Sequence, residues 1–137
     1  MEMSVERQLT SLSCNALVAR EFWIDDRRVS AACYVFLILC NGESLGWWFN
    51  DDPESWQIET SDVPIPVESE AFFVDGKRWS YPHIDLTSRF AVRDRLLVRW
   101  VAESHGPIAE ARLEFADGAC LIFGHDCRQD RDWIELR

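Results

Sequence analysis

Apolar and polar residues alternate along much of this chain with the period of two that marks strands with one buried face. Leu96, Val98, Trp100 and Ala102 alternate in this way, and Phe72 and Val74 do so ahead of Trp79 and Tyr81. Three dipeptides, Asn41-Gly42, Asp75-Gly76 and Asp117-Gly118, punctuate such runs. NG and DG between apolar runs are strong hairpin signals, because both central residues of a type I′ turn need positive φ. Three hairpins in one short chain predict an antiparallel meander.

The segment Phe36 to Glu59 echoes Arg112 to Leu136. Each copy has an apolar run, an NG or DG turn, then Leu45 or Leu121 three residues after the glycine. Each continues through an aromatic pair and an acidic loop to Trp56 or Trp133. Each copy thus reads as hairpin, loop and strand, and the runs Leu17 to Ile24 and Leu96 to Glu103 predict a strand before each. This pattern fits two related halves, 12–62 and 88–137, joined through the Pro-rich stretch Val63 to Glu70. It also fits coincidence, since aromatic hairpins ending in DG are common among β proteins.

Two stretches are harder to assign, Ser4 to Ala19 and Thr87 to Ala102. In the second, Phe90, Leu97 and Val101 fit one face of a helix, but Val98 and Trp100 belong to the β-preferring set, and a strand is favoured. Ser104-His105-Gly106-Pro107 reads as a turn. The expectation is a single all-β domain over 1–137, with about seven or eight antiparallel strands in a small sandwich or partly open barrel. In Gly46-Trp47-Trp48-Phe49, neighbours on a strand point to opposite faces. One of the two tryptophans therefore leaves a single-faced core, unless both faces are covered.

At 137 residues, with 47% hydrophobic and 12% aromatic side chains, the chain is large enough to bury one core without staples. Its first residues lack the pattern of a secretory signal, and the apolar run Ala31 to Cys40 is too short to span a bilayer as a helix, which points to the cytoplasm and away from a membrane. Five widely spaced cysteines without a CxxC argue against a disulfide framework or a zinc ribbon.

Charge changes the picture more. The net charge of −10 falls almost wholly on residues 29–76, which hold nine acids and no Lys or Arg. A concentrated negative field governs what a surface attracts and how fast it associates. With a pI near 4.6 it also opposes nucleic-acid binding through Arg89, Arg93, Arg95 and Arg99. Those arginines are expected to pair across strands with the acidic half.

Candidate chemistry is sparse. Cys120, His125, Asp126 and Cys127, with His83 from elsewhere, supply zinc-type or nucleophilic groups, but their spacing matches no metal site, and a structural role is expected. Asp51, Asp52 and Glu54, and Asp126, Asp130 and Asp132, lack the length and glycine of a calcium loop. There is no phosphate loop, GxSxG or HExxH. No cofactor and no enzymatic activity are expected. The favoured function is a protein-binding module whose acidic face captures a basic partner through Asp51, Asp52, Glu54, Trp56, Glu59, Asp62 and Trp48. A concrete instance is a bacterial immunity protein inhibiting a basic toxin. The alternatives are a small-ligand-binding β-barrel lined by Trp and Phe, and a hydrolase-type enzyme using Cys120 or Cys127 with His125.

Overall fold

The computed structural model describes the backbone of residues 3–51, 54–61, 68 and 70–137, and the side chains of 12–49, 56, 57, 68 and 70–137. Among the described residues it contains eleven strands and no helix. They are β1 (Met3–Ile24), β2 (Arg27–Leu39), β3 (Ser44–Asp51), β4 (Glu54–Ser61), β5 (Phe72–Val74), β6 (Lys77–Ser80), β7 (His83–Asp85), β8 (Leu96–His105), β9 (Ile108–Phe115), β10 (Cys120–Asp126) and β11 (Arg131–Leu136).

Eight of them form one continuous antiparallel sheet in the order β11-β10-β9-β8-β1-β2-β3-β4, which does not close on itself. Four-strand meanders, β1 to β4 and β8 to β11, thus lie side by side through the β1–β8 pairing. The all-β antiparallel class matches expectation. The three short strands β5, β6 and β7 lie off this path and raise the count above the predicted seven or eight.

Alternation is clearest in β9, where Ala109, Ala111, Leu113 and Phe115 are buried between outward Glu110, Arg112 and Glu114. The long strand β1 was harder to foresee. Met3 to Ser13 pair with β8, and Cys14 to Ile24 pair with β2. Register breaks between Gln8 and Leu12 and between Cys14 and Ala16 fall where the partner changes. Such bulges bend a strand and strengthen its twist, which lets one strand serve two parts of a curled sheet. Beyond β8, the same edge of β1 is taken up by β7 at Val18 to Arg20 and by β6 at Trp23 and Ile24.

The segment 87–95 is a series of turns, with positive φ at Ala91 and Asp94 (49° and 67°), so the helical alternative does not form. It satisfies the backbone of β1 where no strand does. Leu17 N donates to Thr87 Oγ1 at 2.9 Å, and Cys14 N donates to Arg95 O at 2.8 Å. Phe90 and Val92 from this segment join the core.

The turns correct one detail of the sequence reading. Asp75 and Gly76 both have positive φ (50° and 78°), as a type I′ turn requires. At the other two only the glycine does, Gly42 at 88° and Gly118 at 89°. Gly42 N donates to Leu39 O, and Leu39 N donates to Glu43 O; Gly118, Phe115 and Ala119 repeat the arrangement. These are type I turns followed by a left-handed bulge residue. The Pro-rich connection of residues 62–67 lies outside the described residues.

The sheet curls until its two flanks face each other. Trp47 of β3 and Phe123 of β10 meet with ring centroids 6.0 Å apart, inside a core that includes Leu17, Leu37, Leu113 and Leu121. Trp47 is 1% exposed. Trp48 points the other way and stacks on Tyr34 at 4.9 Å, so its ring packs in a second aromatic layer on the far side of the sheet.

Candidate functional site

Where the flanks meet, the interior holds a cavity of about 170 Å³. Strand alternation decides what lines it. On β3, Trp47 and Phe49 share the inward face, and on β10 so do Phe123 and His125. The facing rings pair, with Phe49 stacked on His125 at 4.5 Å as Trp47 stacks on Phe123. Trp56, opposite Phe49 in the β3–β4 register, presents its ring edge to it at 5.4 Å and an interplanar angle of 75°. Trp133 and Gly124 also border the cavity, from the face of β10–β11 opposite to His125 and Asp132, and the indole lies over Gly124, where a Cβ would meet it at 1.9 Å.

One polar chain crosses this aromatic interior. His125 stands opposite Asp132 in the β10–β11 register, and its Nδ1 is 2.7 Å from Asp132 Oδ1. Ser30 of β2 donates its hydroxyl to Asp132 Oδ2 at 2.5 Å and accepts from Ala32 N at 3.2 Å. An ionised carboxylate only accepts, so Asp132 fixes the proton on Nδ1 and holds the imidazole in one orientation. Ser30 and His125 are 7% and 4% exposed, which gives Asp132 two strong local bonds in a mostly dry setting. The chain joins β11 to β2 across the opening that hydrogen-bonded strands leave.

The order of these residues limits their chemistry. In a nucleophile relay the base lies between the hydroxyl and the carboxylate. Here the carboxylate lies between, so Ser30 gives its proton to Asp132 and not to imidazole. Cys33 also lines the cavity, but burial pushes its thiol up to about 11, and the nearby Asp132 charge pushes in the same direction. The thiolate that would attack is therefore scarce near neutral pH. The arrangement offers groups that bind and orient.

Two of the lining tryptophans carry a polar atom without a partner. The indole nitrogens of Trp47 and Trp56 are buried and make no hydrogen bond. Buried indole N–H groups usually find an acceptor.

The other sequence candidates separate. Cys120 and His125 sit on opposite faces of β10; burial raises the Cys120 thiol, which lies among Arg112, Glu114 and Arg137. His83 stands on the far side of the sheet beside Phe36, and burial together with Arg20 lowers its pKa. Among the described residues no three of His, Cys, Asp or Glu are grouped to hold a metal ion. Arg99 bonds Glu114 and Arg95 bonds Asp117, acids of their own half of the chain.

Of the partner-binding candidates, Asp52 and Asp62 lie outside the described residues. Asp51, Glu54 and Glu59 have their backbones on β3 and β4, the latter the terminal strand of the sheet order, and their side chains lie outside the description. Trp56 faces the cavity, and Trp48 packs on Tyr34. Sequence reasoning named His125 and Asp132 but in separate roles, and it missed Ser30. The Ser30–Asp132 bond spans 102 positions, for which the chain carries no local signal. The echo between the halves held a clue, since Phe49 and His125 occupy matching places in it.

No family model, no curated protein and no solved structure matches this chain. Among the described residues no helix is long and apolar enough to cross a membrane.

Proposed function

We propose that this protein binds a small organic molecule in the cavity between its facing flanks. Such a ligand presents apolar surface to the aromatic walls. The observation that carries the reading is the cavity itself, about 170 Å³ lined by the rings of Trp47, Phe49, Trp56 and Phe123 beside the His125–Asp132–Ser30 chain. Aromatic walls with a few placed polar groups are the usual make-up of small-molecule sites. Size supports it too: an engineered apolar cavity of about 150 Å³ holds benzene.

The test uses benzyl alcohol as a probe and the indole ¹⁵N–¹H resonances of the seven tryptophans, assigned by single Trp→Phe variants. Saturable shifts at Trp47 and Trp56, with Trp23 and Trp79 unmoved, are the expected result. Shifts confined to the outer tryptophans, or none, would remove the reading.

A second reading rests on the charge of residues 29–76, nine acids without a compensating base. In it the β3–β4 hairpin captures a basic protein partner, of which a toxin is one example. The triple reversal of Asp51, Asp52 and Glu54 to Lys then slows association measured by stopped flow at low salt, and unchanged rates would reduce the charge bias to a matter of solubility.

A further inference from the structure

The electrostatics of the cavity narrow the ligand class, on the reading that the cavity is a binding site at all. Its lining includes two carboxylates, Asp130 and Asp132, and no Lys or Arg. Its walls are rings, with Phe49 and Trp56 meeting nearly at right angles, so that faces and edges bound one corner. Aromatic faces carry the negative end of the ring quadrupole and attract cations, and more strongly where water is excluded. The protein already uses this attraction nearby, where the Arg131 guanidinium sits 5.5 Å from the Trp133 ring centre.

We infer that the cavity is selective for an organic cation, a small alkylammonium. The ammonium lies against the aromatic walls on the Asp132 side, where carboxylate and ring faces act in the same direction. An anion meets no Lys or Arg here, since the lining holds the carboxylates of Asp130 and Asp132 and no basic side chain of those two kinds. A neutral molecule of the same shape gains the apolar contacts alone.

Three probes of one shape separate charge from fit: choline, 3,3-dimethylbutan-1-ol and 3,3-dimethylbutanoate, which are a cation, its neutral carbon isostere and an anion. Binding is followed by ligand-observed NMR and by the Trp47 and Trp56 indole resonances of the full chain. Choline should bind at least about tenfold tighter than the alcohol, the ratio expected of a partly desolvated cation–π contact, and the butanoate weakest. In Asp132→Asn, which keeps the side chain's shape and removes its charge, the choline preference should shrink severalfold while the alcohol is unaffected. Asp130→Asn, at an exposed position, gives a second charge variant that does not touch the buried chain.

An alcohol or butanoate that equals choline in the wild-type protein would overturn the cation assignment, and so would failure of all three where benzyl alcohol binds. Neither outcome removes the binding cavity itself. Failure of benzyl alcohol as well would remove both readings together.

Discussion

Gly124 offers the sharpest test of how the cavity wall is built. Its Cβ would lie 1.9 Å from Trp133 Cε2 and 2.1 Å from Cζ2, where unstrained carbon contacts start near 3.5 Å. Gly124→Ala therefore forces the indole back by about 1.5 Å, away from a position fixed by β11 pairing and by the Arg131 contact. Gly124 is not among the residues with positive φ, so backbone strain plays no part. Overpacking of this kind costs about 1–3 kcal/mol, and the loss of glycine flexibility in the unfolded chain returns only about 0.4–1 kcal/mol. A net loss of about 1 kcal/mol should appear in urea unfolding at constant m-value. In a Trp133→Ala background the same substitution should be neutral or slightly stabilising, which gives a coupling of about 2 kcal/mol. Gly46→Ala provides the scale: its Cβ would meet Tyr34 Cε1 and OH at 2.7 Å, a milder clash against a ring end that can swing aside, so its cost should be smaller. Equal costs for Gly124→Ala with and without the Trp133 indole would refute this account of the wall.

Two other outcomes follow from the core and its edges. Thr87→Val removes the acceptor of the Leu17 backbone N–H, buried at 0% exposure, and should cost about 1–3 kcal/mol in urea unfolding; a neutral variant would show that this segment does not anchor β1. The Thr87 hydroxyl, and then its N–H, hold the Asp85 carboxyl below its usual pKa, so the stability it gives is complete above the ordinary carboxylate value and is lost as pH falls through the lowered one. Asp85→Asn should flatten that part of the acid limb and leave stability above pH 6 with no pH slope from this site; an unchanged acid limb would count against the bond. Thiol labelling with mass spectrometry at pH 8 should find exposed Cys40 reacting well ahead of Cys14 and Cys33, whose thiols burial pushes up to about 12 and 11; comparable rates in the folded protein would contradict the packing around β1 and β2.

The local part of this architecture was legible in the sequence, because it depends on neighbours along the chain. Period-two alternation located β5, β6, β8 and β10, the apolar runs of the echo located β2, β3 and the end of β9, and the glycine turns located three hairpins. The exact turn type at Asn41-Gly42 and Asp117-Gly118 escaped, since the same dipeptide serves a type I turn with a bulge. Residues 4–16 of β1 escaped for a different reason. That strand changes partner near Ser13 and carries register breaks there, so no single alternating face persists to be read. The site was the least legible. Asp132 looked like a loop acid until β11 set it opposite His125, and Ser30 is brought to it only by the curl of the whole sheet.

The two meanders meet at matching positions, and their differences make the site. Trp47 faces Phe123, and Phe49 faces His125; on the neighbouring strands Phe49 stands opposite Trp56 while His125 stands opposite Asp132. An aromatic pair on one flank is thus set against an imidazole–carboxylate pair on the other. A carboxylate in such surroundings persists only when its lone pairs are taken, and a single imidazole N–H leaves one oxygen unmet. Ser30 supplies the missing donor from β2, which is why the polar chain forms where β11 approaches β2. The same three side chains therefore tie the open sheet together and give the cavity its charge. A ligand that binds there in the folded chain and not in the unfolded one stabilises the fold with the logarithm of its free concentration, by about 2.7 kcal/mol at one hundred times its dissociation constant.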